Sequence, residues 1–135
     1  MATPNINAIL QMVLNLANNQ VSPAAFIANY DFSDPTLGCT ATLYEPFLQA
    51  VNTGLGTVVQ LPVATCYAVV VQNLSQTGAS MQVNWTPSGT PGTACLLGPG
   101  GVFAYIDPTK MGSGITALSI EGVGGTVPAF VFVGG

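Results

Sequence analysis

Apolar and polar positions alternate most clearly between Cys66 and Thr86, CYAVVVQNLSQTGASMQVNWT. Cys66 to Asn73 is a continuous apolar run rich in β-branched residues. Ser75 to Gly78 carries turn chemistry. Met81, Val83 and Trp85 then alternate with Gln82, Asn84 and Thr86. A period of two puts one face in a core and the other in water. The stretch is predicted to be a β-hairpin. Further short apolar runs follow the same logic at residues 40–44, 47–51, 57–61, 94–97, 102–106, 115–121 and 129–133, and Gly, Pro, Asn or Asp punctuates them. About seven to nine short strands with turn signals every eight to twelve residues predict a mainly β domain, an antiparallel β-sandwich of jelly-roll-like type or a small barrel. The last run, AFVFVGG, is long and apolar and lacks a charged gatekeeper. It is expected at the centre of a sheet or against another chain rather than on a free edge.

The beginning of the chain follows a different period. Thr3 can cap a helix and Pro4 fits its first position, where no N–H is needed. Ile6, Ile9, Leu10, Val13 and Leu16 fall on one stripe at helical spacing, with Asn7, Gln11 and Asn15 opposite. Residues 1–29 therefore read as an N-terminal helical arm and residues 30–135 as the β-sandwich domain. A short isolated helix needs packing to persist. The stripe either packs across one end of its own sandwich or docks on a neighbour, and its five apolar residues are the candidate docking arm.

Composition narrows the chemistry. Of the 135 residues 49% are hydrophobic and 4% charged, with five acids, one base and no histidine, for a net charge of -4. Ordinary domains carry about 25% charged residues. Nucleic-acid binding is excluded, because neutralising phosphates takes Lys and Arg and Lys110 stands alone. No apolar run approaches the ~18 residues of a membrane helix, and the N-terminus lacks a signal-peptide pattern. A chain so poor in charge either buries much of its surface in an assembly, the favoured reading given its apolar content, or relies on Asn, Gln, Ser and Thr for solvation.

Candidate catalytic groups are sparse. Nucleophilic catalysis normally uses a base, most often histidine. Glu45 with Asp107 or Glu121 would be needed for a carboxylate-only glycosidase, and nothing in the sequence pairs them. Asp31 and Asp34 lack the spacing of a calcium loop. Cys39, Cys66 and Cys95 contain no CxxC, and without histidine they fall short of a zinc set; the last two read as small buried hydrophobes. No enzyme, cofactor or metal is expected. Tyr67, Trp85 and Tyr105 are the candidate aromatic platform of a carbohydrate- or receptor-binding module. For Trp85 a core position is favoured, because it shares a face with Met81 and Val83. The sequons at Asn73 and Asn84 read as chance matches.

The segments Leu97-Gly98-Pro99-Gly100-Gly101-Val102-Phe103, Gly114-Ile115-Thr116-Ala117-Leu118 and Val131-Phe132-Val133-Gly134-Gly135 are similar to motifs of small β-rich virion proteins of tailed bacteriophages. The resemblance covers about residues 66–135. It implies a structural role such as a capsid decoration (cement) or head–tail subunit, commonly a homotrimer bound to a major capsid protein. It also implies location in the virion after assembly in the host cytoplasm, and it transfers no catalytic residue.

Overall fold

The computed structural model describes residues 41–135 apart from Leu55, Thr77, Pro108 and Thr109. The expected helical arm over residues 1–29 lies outside the described residues, as do Asp31, Asp34 and Cys39. No helix occurs among the described residues. Eight strands do: β1 (Thr42–Ala50), β2 (Thr57–Val58), β3 (Ala68–Asn73), β4 (Ser80–Pro87), β5 (Thr93–Leu97), β6 (Val102–Ile106), β7 (Ile115–Val123) and β8 (Val127–Gly134). They form two four-stranded sheets, ordered β1-β8-β3-β6 and β2-β7-β4-β5, and every pairing is antiparallel. The first sheet turns Val69, Val71, Val131 and Val133 inward. The second answers with Met81, Val83, Leu118 and Ile120, and these side chains form one buried core.

The pairings are nested. β1 pairs with β8, β2 with β7, β3 with β6 and β4 with β5. The chain thus runs out and back like one long hairpin wrapped into two layers, and additional pairs between β3 and β8 and between β4 and β7 close each sheet.

The predicted hairpin over residues 66–86 does not form. Its two strands, β3 and β4, lie in different sheets. Alternation fixes which face of a strand is buried but not which strand pairs with it. Here the inward faces of β3 and β4 meet across the core instead of lying side by side. Asn73 holds the crossing. Its side chain is fully buried; Nδ2 donates to the carbonyls of Ala79 (3.2 Å) and Leu97 (3.0 Å), and Oδ1 accepts from Ser75 N at 2.8 Å. One amide therefore satisfies groups on both sides of the arch and ties the sheets together.

Other boundaries shift for local reasons. The runs at 40–44 and 47–51 belong to one strand, β1. Pro46, which has no N–H to give a ladder, sits where the register slips between Glu45 and Leu48. The strand expected over 57–61 ends at Val58, after which Val59 turns into the core. β8 lies between β1 and β3, so the long apolar run is central. Gly122 on β7 is packed so closely against the carbonyls of Gly125 and Ala50 that no Cβ fits there. That contact brings the two sheets together at one corner, where Gly122 N donates to Val51 O at 3.1 Å.

Candidate functional site

Inward residues of the second sheet serve the core, so its chemistry lies on the other face. The register sets Val58, Ser119, Asn84 and Ala94 side by side across all four strands. The neighbouring row holds Ala117 beside Thr86. Small side chains at Ala94, Ala117 and Ser119 leave a depression, walled by residues 58–64 on one flank and 92–94 on the other. The result is an open groove of about 1000 Å³. Gln82 Nε2 donates to Asn84 Oδ1 at 2.7 Å, which orients the Asn84 amide. Thr116 Oγ1 donates to Thr86 O at 3.1 Å at the rim. The polar groups lining the groove are neutral amides and hydroxyls. Such a surface can exchange hydrogen bonds with an uncharged ligand. It contains no nucleophile with a base beside it.

The three candidate platform residues do not form a flat exposed surface. Trp85 and Tyr105 are half-buried and pack against the core. The Trp85 ring lies against Phe103, with centroids 4.4 Å apart and planes tilted by 38°. Tyr105 OH accepts from Gly114 N at 3.1 Å. Gly114, at a φ of 68°, leaves room for the Tyr67 ring, which a Cβ would meet at 3.0 Å. Tyr67 and Tyr105 thus flank one glycine turn, while Trp85 belongs to a separate ring pair.

The carboxylates stand on different elements. Glu45 lies on the edge strand β1 opposite Val131, and Glu121 lies on β7 opposite Gln82. Asp107 follows β6, where its Oδ2 accepts from Gly112 N at 2.7 Å. No group of three or more His, Cys, Asp or Glu side chains arranged for a metal occurs among the described residues. Cys66 is buried and Cys95 half-buried, and both are free thiols. Burial pushes both thiols up, and the Cys66 Sγ–H contact with Val63 O (3.7 Å) offsets part of that shift. Both are therefore poor nucleophiles at neutral pH. Asn73, the first sequon, has no exposed surface to modify.

Comparison with family models, curated proteins and solved structures finds no match to this chain.

Proposed function

We propose that the chain is a jelly-roll structural subunit of a virion, a capsid cement or decoration protein that works by binding rather than by a reaction. The observation that carries this reading is the nested pairing β1–β8, β2–β7, β3–β6 and β4–β5 across two four-stranded sheets. An eight-stranded double-sheet roll of this kind is the architecture of viral capsid and lectin domains. That support is an analogy of fold, because one fold hosts many functions. The sequence adds a second support. A chain with 4% charged residues is suited to packing against neighbours through neutral and apolar contacts. At ~25 cal/mol per Å², a standard interface of ~1,600 Å² supplies ample gross stabilisation before the cost of association. The partners would be further copies of the chain, as a homotrimer, and a major capsid protein.

The test is the native mass of the protein over a range of dilution, by light scattering or mass spectrometry, followed by binding to purified shells. A trimer that decorates shells, unaffected by raising salt from ~0.1 to ~1 M, is the expected result; that change shortens the Debye length from about 10 to 3 Å. A monomer that binds no shell sinks the proposal.

The groove favours one second reading, a carbohydrate- or receptor-binding module. Its amides and hydroxyls at Asn84, Thr86 and Ser119 suit a neutral ligand such as a glycan. Chemical-shift changes at Asn84 and Ser119 on adding glycans would support this reading. Shifts confined to Tyr67 and Tyr105 would relocate the site to the glycine turn.

A further inference from the structure

The groove on the second sheet has a size, a lining and a charge, and together they narrow what it can hold. Its floor is built from two rows that cross the strands: Val58, Ser119, Asn84 and Ala94 in one, and Ala117 beside Thr86 in the other. Neighbouring strands lie about 4.8 Å apart, so a row across four strands is about 14 Å long. The volume of about 1000 Å³ stands at the upper end of the ~300–1,000 Å³ found for small-molecule sites. A ligand that fills such a trough is a short oligomer rather than a single ring.

The lining selects its chemistry. Asn84, Thr86, Thr116 and Ser119 present amides and hydroxyls. Such side chains both donate and accept hydrogen bonds. Sugar hydroxyls do the same, whereas a carboxylate only accepts and an ammonium group only donates. Val58, Ala94 and Ala117 stand between these polar groups and are exposed. Small aliphatic surfaces of this kind pack against the C–H faces of sugar rings. An extended peptide fits less well. It gains most from main-chain hydrogen bonds at a free sheet edge. Here β4 is paired on both sides, with β5 and β7, so its backbone is spent on the ladders and the floor offers side chains.

Charge narrows the class further. Glu121 stands on the same face as Asn84, one row along: it lies opposite Gln82, whose amide is bonded to Asn84. Two residues along a strand cover about 7 Å. The chain's one basic residue, Lys110, is not among those that line the groove. An anionic ligand here would meet a carboxylate and no cation. Two like unit charges about 7 Å apart cost about 3- to 50-fold in affinity as the effective dielectric falls from about 80 to 20.

We infer that the groove takes an uncharged oligosaccharide laid across β2, β7, β4 and β5, and that Glu121 selects against acidic sugars. The inference rests on the reading of the groove as a ligand site and is independent of the virion reading.

The test titrates the isotope-labelled full chain at about 0.01 M salt, where charges are weakly screened. The probes are short neutral homo-oligosaccharides of glucose, galactose, mannose and N-acetylglucosamine. Saturable chemical-shift changes at Asn84, Ala94, Ala117 and Ser119 are expected with at least one of them, with weaker binding of the corresponding single sugar. The oligosaccharide that binds is then oxidised at its primary alcohols to carboxylates. This acidic form should bind about 3- to 50-fold more weakly, and Glu121→Gln should close that gap. Asn84→Ala should weaken the neutral ligand about 2- to 12-fold. No shift with any probe sinks both the ligand-site reading and the inference. Binding of the acidic form as tight as the neutral one, a gap that Glu121→Gln leaves intact, or a single sugar that binds as well as its oligomer overturns the inference alone. A groove that ignores the sugars but is saturated by an uncharged peptide also overturns it and leaves a receptor-type module.

Discussion

The two sheets have the same number of strands and the same inward chemistry, but their outer faces are opposites. Over β8 and β3 the outward positions are Phe132, Phe130, Val70 and Gln72, all buried. Over β7 and β4 the corresponding positions are Ser119, Ala117, Asn84 and Thr86, which line an open groove. The two central strands of the first sheet, β3 and β8, are buried on both faces, whereas the second sheet is buried on one. The difference is written in the strands themselves. β3 and β8 are continuous apolar runs, AVVVQN and VPAFVFVG, whereas β4 alternates as SMQVNWTP. A strand covered on both sides has no polar face to display. The sandwich thus has one sheet whose central strands are buried on both faces and a second whose outer face carries neutral polar groups.

The largest expected effect breaks this comparison directly. Phe132→Ala removes a large, fully buried side chain from an outward position and should cost about 3–5 kcal/mol in denaturant unfolding. Asn84→Ala, outward on the other sheet, should stay within about 0.5 kcal/mol. Similar costs for the two would mean that the outer faces are equivalent.

Next comes the link between the sheets. Asn73→Ala strips hydrogen bonds from the carbonyls of Ala79 and Leu97 and from Ser75 N, all held by one buried amide. Each group left buried and unpaired costs about 1–3 kcal/mol. A loss of at least that size, with protection falling in both sheets by hydrogen exchange, is expected. A loss confined to one sheet would show that the arch does not couple them.

Gln72→Met sharpens the comparison on the first sheet. The buried Oε1 of Gln72 has no partner among the described residues, so replacing the amide with an apolar chain of similar size removes an unpaired acceptor and should raise stability by about 1 kcal/mol in denaturant unfolding. A fall in stability would mean that Oε1 is paired in solution.

The smallest effect is in pH. Burial raises the Cys66 thiol above its ordinary value of 9.0, so the folded state holds the proton more tightly than the unfolded state. This contribution is fully present below about pH 9 and is lost as pH rises through the folded value. Stability should therefore decline more steeply at alkaline pH in the native chain than in Cys66→Ala. Parallel curves would remove Cys66 from the account.

Much of the strand pattern was legible in the sequence. Residues 102–106 are β6 as expected, and the runs at 94–97, 115–121 and 129–133 lie within β5, β7 and β8. Period two also set the inward faces, with Met81 and Val83 in the core as expected. Partnership was not legible. β3 and β4 are neighbours in sequence with a turn between them, and no local signal distinguishes a hairpin from an arch between sheets. The buried Asn73, at the end of an apolar run, is the one residue whose chemistry marked the crossing. The groove was invisible for a different reason. It is made by what Ala94, Ala117 and Ser119 lack, on three strands that meet only through tertiary pairing. The two-sided burial did leave a mark, the unbroken apolar runs of β3 and β8, which length and continuity make readable.

The nested pairing also orders events in time. β4 and β5 are joined by a short loop and can zip as a local hairpin, while β3 must wait for β6 and β2 for β7. The β1–β8 pair joins opposite ends of the described chain, Thr42 to Gly134. Every outer pair closes a longer loop than the one inside it, and each closure adds entropy cost before its contacts form. A sandwich paired in this way should fold in milliseconds to seconds, as other domains dominated by distant pairings do. Its most apolar strand, β8, stays unpaired until late, so the slow step is also the one at which the growing molecule is most easily captured by another copy of itself.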